Sequence, residues 1–338
     1  MIHGPATFVS LEGAVAYLEE DLRAAHGGAL TVLSRGADRI TVDLAIDEAT
    51  LAANPYFGSV ELPLGAPSDR DRWMDLIRAA LDGGILAGLV GEEPVRFRVG
   101  EIGPQRWDVR DQLERDLGWV NAPGDWHVNL QQGPDGVGLQ VGSLHTSARF
   151  GPLVRLPAST TPVLSAVLCR LAKVEDGCVV LDPFCGAGTN LVQAPVGHGD
   201  RRPTGVRVIG TDVSGRAVAA SAANLATRGV DGHVLRADAA RLPLADGSVD
   251  RVVSNIPFGK RIGSHADNQT LYPAFLRELA RVLAPKGRIV LLTEDKRLLK
   301  ESIQRTKGLR QVKEVGFATG GAHPSAYVLT PGRSGRSR

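Results

Sequence analysis

Four polar residues in the second half of the chain each follow a short apolar run that is typical of a buried β-strand. They are Asp182, Asp212, Asp238 and Asn255. In an open α/β sheet the carboxyl ends of parallel strands meet at one edge, where ligands bind beside helix N-termini. One such residue could equally cap a helix or stabilise a turn. Four in succession, with a glycine-rich turn after the first, predict a ligand site.

The turn after the first of these strands indicates which ligands are suitable. Gly186 and Gly188 allow the backbone to approach a ligand where a Cβ would block it. A dinucleotide-binding turn has a third glycine where this chain has Leu191, and Asp182 would repel a pyrophosphate. An acidic residue instead suits a positively charged ligand, such as the ammonium and sulfonium groups of S-adenosyl-L-methionine. The turn therefore disfavours a nicotinamide oxidoreductase.

The segment from Val179 to Thr189, Val-Val-Leu-Asp-Pro-Phe-Cys-Gly-Ala-Gly-Thr, resembles motif I of the class I methyltransferases. The resemblance implies a Rossmann-like α/β domain with a seven-stranded, mainly parallel sheet and S-adenosyl-L-methionine as cofactor. The cofactor-binding residues that it implies are Asp182, Phe184, Gly186, Gly188, Thr189, Asp212, Asp238, Ala239 and Asn255.

Chemistry assigns separate roles to these residues. Asp212 is placed to accept hydrogen bonds from both ribose hydroxyls. Asp238 can accept one from the adenine amine, with the Ala239 N–H nearby. Asp182 can face the ammonium group, directly or through water.

The stretch Asn255-Ile256-Pro257-Phe258 indicates the methyl acceptor. An exocyclic amine on a nucleobase is a poor nucleophile because its lone pair is delocalised into the ring. The Asn255 side-chain oxygen and the Ile256 carbonyl oxygen can each accept an amine hydrogen and direct the lone pair at the methyl group. Pro257 stiffens the loop, and Phe258 offers a face on which an extruded base can stack. Asn255 cannot act as a base, so its contribution is orientation and electrostatics.

The same stretch resembles motif IV of the amino-methyltransferases, [Asn/Asp]-Pro-Pro-aromatic, with Ile256 in place of the first proline. Alone it could be an ordinary strand-end turn, but its place one strand after Asp238 favours a catalytic role. Ile256 and the following Gly259, Lys260 and Arg261 are more similar to the THUMP-containing guanosine N2-methyltransferases than to DNA adenine enzymes. This resemblance implies methylation of a guanosine N2 amine in RNA, with tRNA as the expected substrate.

Basic residues provide candidate phosphate contacts. Lys260 and Arg261 could neutralise a phosphate beside a flipped nucleotide. Lys296, Arg297 and Lys300 begin a second basic cluster that could follow a nucleic-acid backbone. In both cases a solvated loop or helix surface is the alternative interpretation.

The length of the chain and a proline-containing linker predict two domains. The 338 residues exceed one ordinary domain, and a proline-containing segment at 155–160 separates two parts. We expect a smaller α+β region, ferredoxin-like and THUMP-like, over residues 1–150. A class I methyltransferase domain is expected over 151–330, followed by a disordered basic tail at 331–338.

The predicted N-terminal region resembles a THUMP domain, the RNA-binding module that precedes some tRNA methyltransferases. Phe97-Arg98-Val99 and Trp126-His127-Val128-Asn129-Leu130 carry the resemblance. The region could hold an RNA end through a few arginines, or only position the second domain. Trp107, Trp119 and Trp126 in this region are interpreted as core aromatics rather than stacking platforms.

Charge is distributed unevenly between the two parts. Residues 1–150 contain 12 Arg and no Lys against 22 acidic residues, a net charge of −10, whereas residues 151–338 carry +12. A polyanion would therefore meet mainly the second part, although the segregation could also serve only to dock the parts.

Cysteine content and hydropathy indicate the redox state of the thiols and the location of the protein. Cys169, Cys178 and Cys185 lack metal-ligand spacing, so we expect reduced thiols and no metal. No apolar run approaches the ~18 residues of a membrane helix, and the N-terminus lacks a signal-peptide pattern. A cytoplasmic protein without a membrane partner is expected.

Two other functions remain open from the sequence. One is an amino-methyltransferase with a different substrate, DNA adenine or protein glutamine. The other is a non-catalytic RNA-binding protein that retains a cofactor site.

Overall fold

The structure is a computed structural model that describes residues 2–25, 30–46, 48–83, 86, 94–197, 202–258 and 265–332. The chain divides into two compact units. The first contains Met1–Leu11 and Val15–Gly151, and the second contains Glu12–Ala14 and Pro152–Arg338.

The first unit is an α+β structure built on one sheet. Its strands are β1 (Ile2–Val9), β2 (Thr31–Arg35), β3 (Arg39–Ile46), β4 (Ser59–Gly65), β5 (Arg96–Val99), β6 (Val120–Asn121), β7 (Val128–Gly133) and β8 (Gly136–Val141). Its helices are α1 (Val15–Ala25), α2 (Glu48–Ala53), α3 (Arg70–Asp82), α4 (Arg106–Leu117) and α5 (Thr146–Phe150). Among the described residues the strand order is β2-β3-β1-β4-β8-β7-β5-β6. Pairing is antiparallel except where β5 meets β6 and β7.

Alternating apolar residues bury one face of this sheet. In β3 the side chains of Ile40, Val42 and Leu44 are buried while the residues between them face outward. Helix α3 covers apolar surface with Trp73 and Ile77, both almost fully buried. This is the pattern expected of an antiparallel sheet with one covered face.

The two tryptophans near α4 differ in environment. Trp119 is buried, as expected, but the interpretation of Trp107 as a core residue is wrong, because 58% of its surface is exposed. Helix α4 buries Val109 and Leu113. Trp107 precedes Val109 by two positions, about 200° around the helix, so it faces the opposite side.

The second unit is a three-layer α/β domain. Its strands are β9 (Val179–Asp182), β10 (Arg207–Asp212), β11 (Gly232–Arg236), β12 (Val249–Asn255), β13 (Leu283–Thr293), β14 (Leu309–Gly316) and β15 (Ser325–Pro331). Its helices are α6 (Pro162–Ala172), α7 (Thr189–Gln193), α8 (Gly215–Arg228), α9 (His265–Val282) and α10 (Lys296–Arg305).

The sheet of the second unit confirms the predicted Rossmann-like architecture. Within the described residues it has seven strands in the order β11-β10-β9-β12-β13-β15-β14. The first five strands of this order run parallel, and β15 is antiparallel to both β13 and β14. Strand cores such as 289–292 are buried on both faces, which explains their continuous apolar sequence.

The last strand changes one predicted boundary. Strand β15 continues through Pro331, because its backbone pairs with Leu309 of β14. Pro331, which the sequence assigns to a disordered basic tail over 331–338, is therefore part of β15, and residues 333–338 lie outside the described residues. No helix in the described part of the chain has the length and apolar character needed to cross a membrane.

Candidate active site

The sheet order brings three of the predicted site residues to the ends of adjacent strands. Strand β9 lies between β10 and β12, so the chain turns outward in opposite directions on its two sides. Asp182, Asp212 and Asn255 are the last residues of these three strands. Asp238 follows β11, the edge strand beside β10. A reversal of strand order opens a crevice at the carboxyl ends, where ligands bind in open α/β sheets.

The glycine turn after β9 is open on one side and closely packed on the other. Gly186 and Gly188 both have positive φ, +51° and +76°. No atom lies within 4 Å of the position that a Cβ on Gly186 would take, whereas a Cβ on Gly188 would lie 2.3 Å from Ser221 Oγ. Gly188 is therefore needed for packing against α8. Gly186 leaves space that a ligand can occupy.

The remaining motif I residues flank this turn. The half-buried Phe184 packs edge-on against Phe275, with ring centroids 5.4 Å apart. Thr189 is half-buried and is the first residue of α7. The structure thus places both beside the glycines, and their contact with a cofactor stays a prediction.

Asp182 is the centre of a buried hydrogen-bond network. Its carboxylate accepts hydrogen bonds from Ser254 Oγ at 2.6 Å, Asn190 Nδ2 at 2.9 Å and the Phe184 N–H at 3.1 Å. Asn190 Oδ1 in turn accepts a hydrogen bond from Ser165 Oγ at 2.8 Å. All four polar side chains are at most 4% exposed. The network joins β9 to β12, α6 and α7.

This environment changes the interpretation of Asp182. Burial raises the pKa of its carboxyl to about 6, and the hydrogen bonds from Ser254 and Asn190 oppose that rise. The side chain is only 1% exposed and its oxygens are occupied by donors of the domain. The geometry therefore assigns Asp182 to holding the turn against β12, and its predicted contact with an ammonium group is untested.

Asp212 is oriented by backbone donors and keeps capacity for more. Its Oδ2 accepts a hydrogen bond from the Gly186 N–H at 3.1 Å, and its Oδ1 accepts one from the Ser214 N–H at 2.9 Å. A carboxylate has about four lone-pair sites, so both oxygens can accept further hydrogen bonds. The half-buried side chain is thus suited to a ribose diol beside the glycine turn.

The end of β11 is tied to the end of β10. The Ala237 N–H donates to the Asp212 carbonyl at 3.1 Å. Asp238 is exposed, and its Oδ1 accepts a hydrogen bond from the Ala240 N–H at 2.9 Å. Ala239 is buried at 2% exposure and packs in the core. Asp238 is accessible to a ligand, as its predicted role requires.

Asn255 has an oriented but incompletely satisfied amide. Its Nδ2 donates to Thr160 Oγ1 at 3.0 Å and to the Ala158 carbonyl at 3.5 Å. Its Oδ1 is buried, with no hydrogen-bond partner in the described part of the chain. A buried acceptor without a donor costs about 1–3 kcal/mol, so this oxygen is suited to accept a hydrogen bond from a ligand.

The loop after Asn255 is fixed by the sheet and by α9. The Ile256 N–H donates to the Leu292 carbonyl at 3.1 Å, and the Ile256 side chain is buried. The Pro257 carbonyl accepts hydrogen bonds from Tyr272 Oη at 2.5 Å and Asn268 Nδ2 at 3.0 Å. This clamp presents Phe258 half-buried at the end of the described loop.

The structure describes only some of the predicted phosphate contacts. Lys260 and Arg261 lie outside the described residues. Lys296, Arg297 and Lys300 are on α10, which packs against α9 and β14. Arg297 pairs with Glu301 at 2.8 Å and Lys300 with Glu314 at 2.9 Å. These ion pairs reduce the charge available to RNA, and the RNA-binding role of α10 stays a prediction.

Several residues that support the site have no signal in the sequence pattern. They are Thr160, Ser165, Asn190, Ser254, Asn268 and Tyr272. Isolated polar residues within apolar helices and strands could have been noticed as buried polar groups that need partners. Their partners are distant in sequence, so the pairing itself follows only from the fold.

The cysteine thiols near the site are buried and are not suited to nucleophilic chemistry. Burial raises the pKa of the Cys169 thiol to about 12, and burial also raises the pKa of Cys185. Thiols of this kind are not activated nucleophiles. No cluster of three or more His, Cys, Asp or Glu side chains that could hold a metal ion occurs among the residues described.

The arrangement suits S-adenosyl-L-methionine and a nucleobase amine. The open face of Gly186 and the spare lone pairs of Asp212 fit a nucleoside with a short charged side chain. The unpartnered Asn255 Oδ1, one strand away, fits an N–H donor. The geometry therefore supports transfer of a group from one ligand to a nitrogen of another.

Comparison with known families gives one match over about half of the chain. Residues 153–325 match UPF0020, described as an RMKL-like methyltransferase domain. A bacterial relative, tRNA (guanine(6)-N2)-methyltransferase of Thermus thermophilus, is 35% identical over 245 residues, which are 71% of this chain and 69% of the relative. The bovine tRNA (guanine(6)-N(2))-methyltransferase THUMP3 is 32% identical over 57% of this chain, but the match spans only 40% of its length.

A solved structure extends the likeness to both units. The chain is similar to TrmN from Thermus thermophilus with a TM-score of 0.74 and 26% identity, over 97% of this chain and all of that one. These matches confirm the resemblance to guanosine N2-methyltransferases that motifs I and IV indicate.

Proposed function

Because the chain belongs to the RMKL-like methyltransferase domain family, we propose that it methylates the exocyclic N2 amine of a guanosine in tRNA. The cofactor is S-adenosyl-L-methionine, which supplies an electrophilic methyl group when bound. The observation that carries the proposal is the buried, unpartnered Oδ1 of Asn255 on the strand next to the glycine turn. This oxygen can accept a hydrogen bond, and an exocyclic amine provides the donor.

The residues of the chain divide the work between two sides of β9. Asp212 and Asp238 would hold the nucleoside part of the cofactor by hydrogen bonds, and the open face of Gly186 would admit its amino-acid part. Asp182 keeps the turn and β12 in register through Ser254. Hydrogen bonds within the domain therefore hold the cofactor side of the site without any ligand.

On the acceptor side, Asn255 orients the amine. Its Oδ1 accepts one amine hydrogen, which localises the nitrogen lone pair and directs it along one axis. Pro257, clamped by Tyr272 and Asn268, fixes the height of the loop above the sheet edge. Phe258 provides a face for the base. The nitrogen would take the methyl group as the bond from methyl carbon to sulfur breaks, and it would then release a proton to solvent, because the Asn255 amide cannot act as a base.

The relatives support RNA as the substrate class. Two relatives of this chain, one from Thermus thermophilus and one from Bos taurus, are named as guanine N2-methyltransferases of tRNA. The first unit would then contribute to holding the tRNA, as its THUMP-like sequence implies. The net charge of −10 over residues 1–150 limits that contribution to local contacts rather than a broad basic surface.

A transfer assay with a modified substrate tests the proposal. The wild-type chain is incubated with methyl-labelled S-adenosyl-L-methionine and tRNA transcripts containing either guanosine or inosine, which lacks the N2 amine. We expect label in the guanosine transcript and none in the inosine transcript. Label in both transcripts, or only in DNA adenine or protein glutamine, would contradict it. Cofactor binding without transfer to any acceptor would instead support a non-catalytic role.

A further inference from the structure

The segment before α6 contacts the side chain on which the proposed reaction depends. Thr160 Oγ1 and the Ala158 carbonyl are the two acceptors of the Asn255 amide hydrogens, at 3.0 and 3.5 Å. They lie 95 and 97 residues before Asn255 in the chain. The sequence shows only a proline-containing linker at this position.

These two acceptors determine which way the amide points. A carbonyl oxygen can only accept, so it excludes the flipped amide, in which Asn255 Oδ1 would face the Ala158 oxygen. The Thr160 hydroxyl accepts the other hydrogen of Nδ2. With both amide hydrogens used, Oδ1 is left as the free end of the side chain.

The segment is built to hold this geometry. Ala158 has a positive φ of +63°, which is unusual for a residue with a side chain. Leu156 and Ser159 close a turn around it, with the Leu156 N–H donating to Ser159 Oγ at 3.0 Å and the Ser159 N–H donating to the Leu156 carbonyl at 3.1 Å. The chain then enters α6 at Pro162, in a helix whose residues are nearly all buried. The turn is thus anchored on the core.

We propose that Thr160 is a positioning residue for methyl transfer, which holds the Asn255 amide so that its oxygen accepts a hydrogen from the methyl acceptor. The inference rests on the proposed function, because it concerns the same asparagine. It also defines the acceptor chemically. A ring nitrogen without a hydrogen would leave Oδ1 unsatisfied, so the site selects an atom that carries N–H.

Two substitutions at Thr160 and one at its neighbour test the inference. Thr160→Val keeps the shape and removes the hydroxyl, and we expect kcat to fall about tenfold, the effect of one hydrogen bond. Cofactor affinity by calorimetry and KM for tRNA should stay within about twofold of wild type, because neither ligand is bound by this hydroxyl. Thr160→Ser, which keeps the hydroxyl, should restore kcat.

Thr161→Val provides the matched control. Thr161 Oγ1 accepts a hydrogen bond from the Leu164 N–H at 3.4 Å as the cap of α6. Its loss should lower the melting temperature and leave kcat unchanged, the reverse of the Thr160→Val result.

The possible outcomes separate the inference from the proposed function. Wild-type kcat in Thr160→Val, equal impairment of the Val and Ser variants, or a similar kcat loss in Thr161→Val would each overturn it. If the wild-type chain transfers no methyl group to RNA, the proposed function fails and the inference fails with it.

Discussion

The cofactor side and the acceptor side of the candidate site differ in whether their polar groups are already hydrogen-bonded. On the cofactor side, the carboxylates of Asp182 and Asp212 accept hydrogen bonds from the domain itself, so the glycine turn is held by groups already paired. On the acceptor side, Asn255 uses only its amide hydrogens and leaves a buried oxygen unpaired. One edge of the sheet thus combines a glycine turn whose hydrogen bonds are already formed with an asparagine whose oxygen would be hydrogen-bonded only by the substrate.

The largest effect expected from this comparison is on turnover. Asn255→Ala removes the acceptor that orients the amine, and we expect kcat to fall roughly 10²–10³-fold, as when one preorganised catalytic hydrogen-bond partner is lost. Cofactor affinity should change little, because the turn is held independently of Asn255. Single-turnover transfer to tRNA and calorimetry with the cofactor measure the two quantities. Parallel losses of transfer and affinity would show that the two sides are not separate.

The next effect is on stability and its pH dependence. Burial raises the pKa of Asp182 in the folded chain from 3.8 to about 6. At pH values well below 4, Asp182 is protonated in both the folded and the unfolded chain. Between pH 4 and 6 the unfolded chain loses this proton while the folded chain keeps it. Stability due to this group is therefore lost as pH rises. Asp182→Asn does not titrate, so the free energy of unfolding of wild type relative to the variant should fall by about 2 kcal/mol between pH 4 and 7.

Urea unfolding of the cofactor-free protein at several pH values measures this difference. If the difference in the free energy of unfolding between wild type and Asp182→Asn does not vary with pH, the pKa of Asp182 is not raised by burial and this account of the network is wrong.

A smaller effect is expected when the two glycines of the turn are each changed to alanine, because Gly188 is needed for packing and Gly186 leaves space for a ligand. Gly188→Ala places a Cβ 2.3 Å from Ser221 Oγ, so we expect it to cost about 1–3 kcal/mol of stability more than Gly186→Ala, whose Cβ meets no atom within 4 Å. Gly186→Ala should instead lower cofactor affinity more strongly, since its methyl group occupies the open face. Thermal unfolding and calorimetry on both variants provide the comparison. Equal effects on both properties would remove the distinction drawn between the two glycines.

Much of the fold could be predicted from the sequence because local signals agreed with the final structure. Ser214 followed by an apolar periodic stretch predicts a helix over 215–228, and α8 has these bounds. The strand-end positions of Asp182, Asp212 and Asn255 follow from short apolar runs with a polar residue after them. Parallel strands between helices then bring these ends to one edge.

The supporting contacts could not be predicted in the same way. Whether Asp182 faces a ligand or the protein depends on Ser254 and Asn190, whose partnership exists only once β12 lies beside β9. Thr160 reaches Asn255 across 95 residues, and a single threonine in a linker has no periodic signal. The expectation that Trp107 is a core residue follows from its large apolar ring, but Trp107 lies on the face of α4 opposite to the buried Val109 and is exposed.

The central claim is that the site methylates an exocyclic amine of guanine. The most direct test is mass spectrometry of nucleosides from a guanosine-containing tRNA transcript after reaction with the wild-type chain and S-adenosyl-L-methionine. We expect N2-methylguanosine as the product in wild type and almost none with Asn255→Ala. A methyl group on a ring nitrogen, on a ribose oxygen or on adenine would contradict the account.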